Sequence, residues 1–330
     1  MKKVCTVLLL LALFCGITSA ENFPAWDIVD MAAPEIKQSI KASSPLMLNN
    51  ETLPSLRRGM SPSPESLPKN ERVNVRNETL PSGLRVRVYT PKTVMKEYPA
   101  LLWLHGGGHI LGTPEIDEAL SLRIADGLGF IVAAPDYRLA PEHPYPADVD
   151  DCYGALVWMT EKLPVRKDRV AVAGQSAGGG LAASVALMAR DNKGPAIHFQ
   201  MPLYPMLDYR SITPSSYQLQ DHRVSWCRDF NIFAWKMYLA GVSNDVPAYA
   251  SPALAEDLSG LPPAYIMVGM LDPLRDEAIT YAQRLMTAGV PVELHVIPGG
   301  THAFEAIFTD AAISVRAVNE YVNALKEGMK

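Results

Sequence analysis

From Arg72 onward the chain alternates short apolar runs with longer stretches of helical spacing. Arg72 to Thr79 and Leu84 to Thr90 set apolar against polar residues with period two, which predicts an antiparallel strand pair joined near Pro81-Ser82-Gly83. Ala100 to Leu104 and Phe130 to Ala134 are short apolar runs, as expected of strands covered on both faces, and Phe199 to Tyr204, Ala264 to Met270 and Val292 to Ile297 are further expected strands. A further strand is expected over Val170, Val172 and Ala173. Helical spacing marks Glu115 to Gly127, Val149 to Leu163, Leu181 to Ala189, Arg275 to Ala288 and Ala311 to Leu325. This alternation predicts an α/β fold with a mostly parallel central sheet flanked by helices.

Two regions break the rhythm. Between residues 21 and 70 no strand pattern occurs: Ala25 to Ile40 has helical spacing interrupted by Pro34, and Pro54 to Pro68 is rich in Pro and Ser. Short helices and a linker are expected there, forming an N-terminal cap segment ahead of a catalytic domain over 71–330. The second break, about 208–251, contains Trp226, Phe230, Phe233, Trp235, Tyr238 and Tyr249. Aromatic residues inserted between strands either pack a core or roof a site as a second cap insertion, and both readings stand at this point. No internal repeat or low-complexity tract is present.

Residues 1–20 open with Lys2-Lys3, continue through an apolar run from Val7 to Phe14 and end in Thr18-Ser19-Ala20, the three regions of a secretory signal. The run is short for a bilayer span, so cleavage after Ala20 and a secreted or periplasmic protein are expected, without a stable membrane span. Bulky Phe14 before Cys15 argues against lipid attachment there. The 330-residue chain is 48% hydrophobic and 20% charged, enough to bury one large core with an appendage. Its formal charge of −5 becomes −7 without residues 1–20, which carry Lys2 and Lys3 and no acid, so nucleic acid is not an expected partner. Cys152 and Cys227 are expected to be buried, unpaired thiols, although a disulfide between them stays open; so does self-association into a homo-oligomer.

The apolar run ending at Ala173 passes abruptly into Gly174-Gln175-Ser176-Ala177-Gly178, which fits G-x-S-x-G, a serine held on a sharp strand-to-helix turn. By composition alone, three such fixed positions coincide in roughly one chain of this length in ten. The flanking strand and helix supply the context the motif requires. A nucleophilic serine needs a base, and the base needs a carboxylate to fix its tautomer. Of the downstream histidines, His198 begins a strand, His222 lies in the aromatic insert and His295 is mid-strand. His302 follows Pro298-Gly-Gly-Thr301, expected as a mobile loop past a strand's carboxyl end, where open parallel sheets place their chemistry. His302 is therefore the expected base. Asp272, just beyond the preceding strand, is the expected acid; Asp276 and Glu277 lie a turn further on, where charges at a helix start need no other role. His105-Gly-Gly-Gly108 after a strand matches a loop whose backbone N–H groups stabilise an oxyanion, with Gly107, Gly108 and Ala177 as expected donors. His105 and His109 have the i, i+4 spacing of a metal pair, but the three glycines between them disfavour a helix, and no metal is expected.

Together His105-Gly-Gly-Gly108, Tyr137-Arg-Leu-Ala-Pro-Glu-His-Pro-Tyr-Pro-Ala147, Gly174-Gln-Ser-Ala-Gly-Gly179, Asp272-Pro-Leu-Arg-Asp-Glu277 and His302-Ala-Phe304 resemble the hormone-sensitive-lipase-like (bacterial family IV) esterases of the α/β-hydrolase superfamily. The resemblance spans roughly Leu84 to Leu325. It implies a carboxylesterase with a helical cap and no cofactor, acting on a small-molecule acyl ester through Ser176, Asp272 and His302. Two positions depart from the pattern: Gln175 stands where an acid is common, and His109 where an aromatic residue often follows the glycines. Both are expected to alter the acyl pocket. A non-catalytic binding protein is disfavoured because all three triad members are present, whereas ester and amide hydrolysis are not separated by sequence.

Overall fold

The computed structural model of the protein describes residues 23–243 and 245–330, so the expected leader with Cys15 lies outside the described residues. Three short helices come first, α1 (Ile28–Met31), α2 (Pro34–Ala42) and α3 (Leu53–Gly59). An alternating series follows: β1 (Val73–Thr79), β2 (Arg85–Pro91), β3 (Tyr98–Leu104), α4 (Glu118–Leu128), β4 (Ile131–Pro135), α5 (Ala147–Lys162), β5 (Val165–Gln175), α6 (Ala177–Asp191) and β6 (Phe199–Leu203). The insert carries α7 (Pro214–Gln218) and α8 (Arg228–Tyr238). The chain closes with β7 (Ala264–Leu271), α9 (Arg275–Thr287), β8 (Val292–Thr301), α10 (Phe304–Ile307) and α11 (Ala312–Gly328).

The eight strands form one sheet in the order β1-β2-β4-β3-β5-β6-β7-β8. β1, β2 and β4 pair antiparallel, and every pairing from β4 to β8 is parallel, so the carboxyl ends of β3 and β5 to β8 lie along one edge. β5 is central because it can be dry on both faces: Val170 through Gln175 are all buried. α6 lies unusually close to the sheet, buried from Ala177 to Ala189. Small residues permit this approach. A Cβ on Gly178 would lie 2.0 Å from the Leu104 carbonyl oxygen, so alanine there requires β3 and α6 to separate.

The first half of the N-terminal segment joins the main core through Ile28, Ile36 and Ile40, and the Ala33 N–H donates to the Gly299 carbonyl at the end of β8. The second half joins a smaller cluster, in which Leu53 and Leu56 pack with Leu111, Trp226 and Phe230. Two expectations need correction. The helix expected from Glu115 starts as a 3-10 turn over Pro114–Asp117, with Asp117 turned inward to accept from the Trp103 indole N–H at 2.8 Å; α4 begins only at Glu118. The stretch before His302 is also strand rather than mobile loop, because a register shift beyond Gly269 lets Leu271 pair with Thr301. Cys152 and Cys227 are free and buried. Burial pushes the Cys227 thiol up to about 11, which keeps it protonated and unreactive. Among the described residues, no helix is long and apolar enough to cross a membrane.

Candidate active site

Side chains from three strand ends meet at the carboxyl edge of the sheet. Ser176, between β5 and α6, has φ 55° and ψ −118°, a region non-glycine residues occupy only under constraint, at about 1–3 kcal/mol. Neighbours supply the constraint. The Ser176 N–H donates to the Leu203 carbonyl at 2.9 Å, and the Ser176 carbonyl accepts from the Gly180 and Met206 N–H groups at 3.0 and 2.9 Å.

Asp272, fully buried just past β7, accepts from the Leu274 N–H at 2.8 Å through Oδ1, which leaves Oδ2 facing His302 Nδ1 at 2.8 Å. The other ring nitrogen, Nε2, is 2.9 Å from Ser176 Oγ. The arrangement that satisfies all three groups has Nδ1–H donating to Asp272 and Nε2 accepting from the serine hydroxyl. Ser176 and His302 are only 5% and 3% exposed, so this chain of bonds is shielded from competing water. Asp276 is occupied elsewhere, accepting from the Ser215 N–H and from Arg275, both at 2.7 Å. His222 pairs with Asp229 and His295 with Glu293, both away from Ser176, and the His198 N–H donates to the Val170 carbonyl.

After β3 the chain turns sharply through Gly107 at φ 123° and Gly108 at φ 62°. A Cβ on Gly107 would meet the Leu111 carbonyl oxygen at 2.1 Å, so this turn admits only glycine. The Gly107 carbonyl accepts from the Ile110 and Leu111 N–H groups, whereas no acceptor among the described residues takes the Gly107 or Gly108 N–H. Ala177 opens α6, where an N–H has no partner within its own helix. His105 braces the loop from behind: Nδ1 is 2.8 Å from the Gly106 carbonyl, the ring stacks on Tyr137, and burial lowers its pKa to about 4, keeping it neutral. His109 does not reach the cavity, contrary to expectation. It is 2% exposed, sits 2.7 Å from Asp148 and stacks on Tyr238 at 3.9 Å. Among the described residues, no group of three or more His, Cys, Asp or Glu is placed to hold a metal ion.

A cavity of about 500 Å³ opens over Ser176, Gly107 and His302. The N-terminal segment contributes Leu46, Leu56 and Met60 to its walls, and the insert contributes Trp226 and Phe230. The aromatic set in the insert therefore divides, since Trp235 and Tyr238 instead pack beneath, around His109. Gln175 does line the cavity, beside Asp117. Burial pushes the Asp117 carboxyl up to about 6, against the lowering effect of hydrogen bonds from Trp103 and Gln175. Sequence reasoning missed Asp117 and Tyr204, and left open whether Trp226 packs a core or roofs the site. A single acid in a loop or a tyrosine ending a strand carries no motif, and only the fold brings them to the serine.

A family model described as "alpha/beta hydrolase fold" matches residues 101–306. The chain is 37% identical over 253 residues to the esterase LipI of Mycobacterium tuberculosis, covering 74% of this chain and 79% of that one. It is likewise 37% identical over 227 residues to an arylesterase of Saccharolobus solfataricus, covering 67% and 72% of the two chains. Among solved structures, a bacterial heroin esterase superposes with a TM-score of 0.84 at 37% identity, covering 92% of this chain and 99% of that one. The motifs, the sheet and these likenesses agree: the chain belongs to the α/β-hydrolase fold family, among its hormone-sensitive-lipase-like esterases, and is a carboxylic ester hydrolase.

Proposed function

We propose that Ser176, His302 and Asp272 form a catalytic triad that hydrolyses short-chain acyl esters through an acyl-enzyme. His302 takes the Ser176 proton as Oγ attacks the ester carbonyl, and Asp272 stabilises the imidazolium that results. The N–H groups of Gly107, Gly108 and Ala177 receive the developing oxyanion, His302 returns the proton to the departing alcohol, and water repeats the sequence on the acyl-enzyme. The observation that carries this reading is the continuous line from Asp272 Oδ2 through His302 to Ser176 Oγ, with steps of 2.8 and 2.9 Å. Preference for short acyl groups is supported by the bounded cavity, with residues 46–60 and the insert acting as its cap. Each added methylene contributes about 0.8 kcal/mol until the wall is met, and then costs energy.

A series of p-nitrophenyl esters from acetate to palmitate, kept below micelle concentrations, tests the substrate claim: kcat/KM is expected to peak between two and about six carbons. A profile still climbing at long chains would refute it. Ser176→Ala is expected to lose on the order of a millionfold in turnover, together with covalent labelling by an organophosphate. Retention of a tenth of the wild-type rate would overturn the assignment of the nucleophile.

A further inference from the structure

Behind the cavity wall, the Tyr204 phenol donates to Glu305 Oε1 at 2.5 Å, linking the end of β6 to the first turn after His302. The Tyr204 ring meets the His302 imidazole in a T-shaped contact, centroids 5.1 Å apart and planes at 76°. Glu305 is 3% exposed, and its Oε2 has no hydrogen-bond partner among the described residues. A carboxyl group in such a place is unusual, because a fully buried, half-satisfied acid is expensive unless its charge has a use. The triad as proposed makes no use of it.

We propose that Glu305 is a positioning residue for the reaction, holding Tyr204 against His302 and favouring the imidazolium that forms as Ser176 attacks. The inference rests on the triad reading, since it assigns Glu305 a part in the proton transfer to His302. The fold supplies the geometry. Ala303, at φ 55°, reverses the chain directly after His302, so that residue 305 turns back beneath the imidazole and towards β6. Tyr204 itself has φ 34°, a strained backbone that the 2.6 Å bond from its N–H to the Met267 carbonyl holds in place. Two constrained turns thus aim one phenol at one carboxylate.

The groups facing Glu305 decide when it is charged. Burial pushes its carboxyl up to about 7, opposed by the Tyr204 hydrogen bond, its own backbone N–H and a positive charge at His302; the Asp117 carboxyl pushes it further up. Tyr321 on α11 and Tyr265 on β7 also face it, and burial holds both phenols protonated, as it does Tyr204. Attraction is mutual: if an imidazolium favours the charged carboxylate, the carboxylate favours the imidazolium. Above about pH 7 a charged Glu305 therefore adds its negative charge beside the base to that of Asp117, whose carboxyl burial raises only to about 6.

The test is Glu305→Gln, which keeps the size and the acceptor for Tyr204 but removes the charge. In the wild type, deprotonation of both Glu305 and His302 should steepen the acid limb of kcat/KM beyond a single ionisation. In the variant that limb should become single and move about half a pH unit or more to lower pH. kcat at pH 8 should fall roughly tenfold, with KM changed less than about twofold. Glu305→Asp, which restores a charge, should return the limb most of the way. The pH dependence of labelling by a neutral organophosphate reads the same basicity without product release. A fall in kcat with the limb unmoved, or wild-type values for both, would make Glu305 a packing residue and overturn the inference. Ser176→Ala assayed beside it separates the two readings: a dead serine variant with an unaltered Glu305→Gln leaves the triad standing and removes only this proposal.

Discussion

The floor and the roof of the cavity are built by different means. In the floor, Ser176 is bonded through its own backbone to β6 and α6, and Gly178 lets α6 come within contact of β3. Asp272 and His302 follow directly on paired strands. The roof is held by isolated bonds rather than by strand pairing. Leu46 and Met47 are 41% and 57% exposed, and the two roof segments meet through bonds such as that from the Leu46 N–H to the His222 carbonyl. Arg57 ties α3 down, donating to the Ile110 and Ala140 carbonyls at 2.8 and 2.6 Å and pairing with Glu142. Under the proposed triad, the contrast puts the chemistry on groups that move only with the sheet and the substrate choice on the less tightly joined roof.

That division can be broken most sharply at the floor. Asp272→Asn is expected to lose roughly four orders of magnitude in kcat, because the amide favours the wrong imidazole tautomer. Asp276→Asn, one helical turn away, should stay within a few-fold of wild type. Steady-state kinetics of the pair decide the matter, and equal losses would reassign the acid.

A smaller effect is expected at the cavity wall. The Asp117 carboxyl is raised from 3.8 to about 6 in the folded protein, so folding favours its protonated form. The stability it contributes is present below about pH 4 and is lost as pH rises through about 6, amounting to about 2–3 kcal/mol. Asp117→Asn keeps an acceptor for Trp103 and has no proton to lose. Urea unfolding at pH 4 and pH 8 should therefore show a smaller fall in stability with pH for the variant than for the wild type. An identical fall would mean that Asp117 is charged in the folded state across that range.

The smallest effect belongs to the roof. Arg57→Ala removes four hydrogen bonds that hold α3, but none that reach Ser176. An increase in KM of about tenfold with kcat nearly unchanged is expected for p-nitrophenyl butyrate. A loss confined to kcat would show that α3 acts on the floor and erase the distinction.

Legibility in the sequence follows the same line. The floor is readable because it makes demands on backbone: a glycine at 107 or 178 is required by a turn or a close approach, and contiguous motifs report such requirements. Asp272 could be separated from Asp276 by strand position alone. The roof is not readable, since Trp226 and Trp235 belong to the same aromatic run and only tertiary packing sends one to the cavity and the other beneath it. Tyr204 and Glu305 stand 101 residues apart, with nothing local to link them. The turn before His302 misleads for a related reason: Pro298-Gly-Gly suggests a loop, but β7 offers a pairing partner that local propensity does not register.

The strained serine has a consequence for cooperativity. Its amide hydrogen is buried in a bond to the Leu203 carbonyl, and its carbonyl serves donors from α6 and from the chain leaving β6. No partial opening can release it while β5, β6 and α6 remain together, so its exchange with solvent deuterium belongs to the slowest class, that of global unfolding. The roof can loosen long before. On heating, molecules whose roof has frayed are expected to keep Ser176 in its strained turn, and under the proposed triad the loss of a reactive serine, as distinct from the loss of selectivity, would count those whose central sheet has come apart.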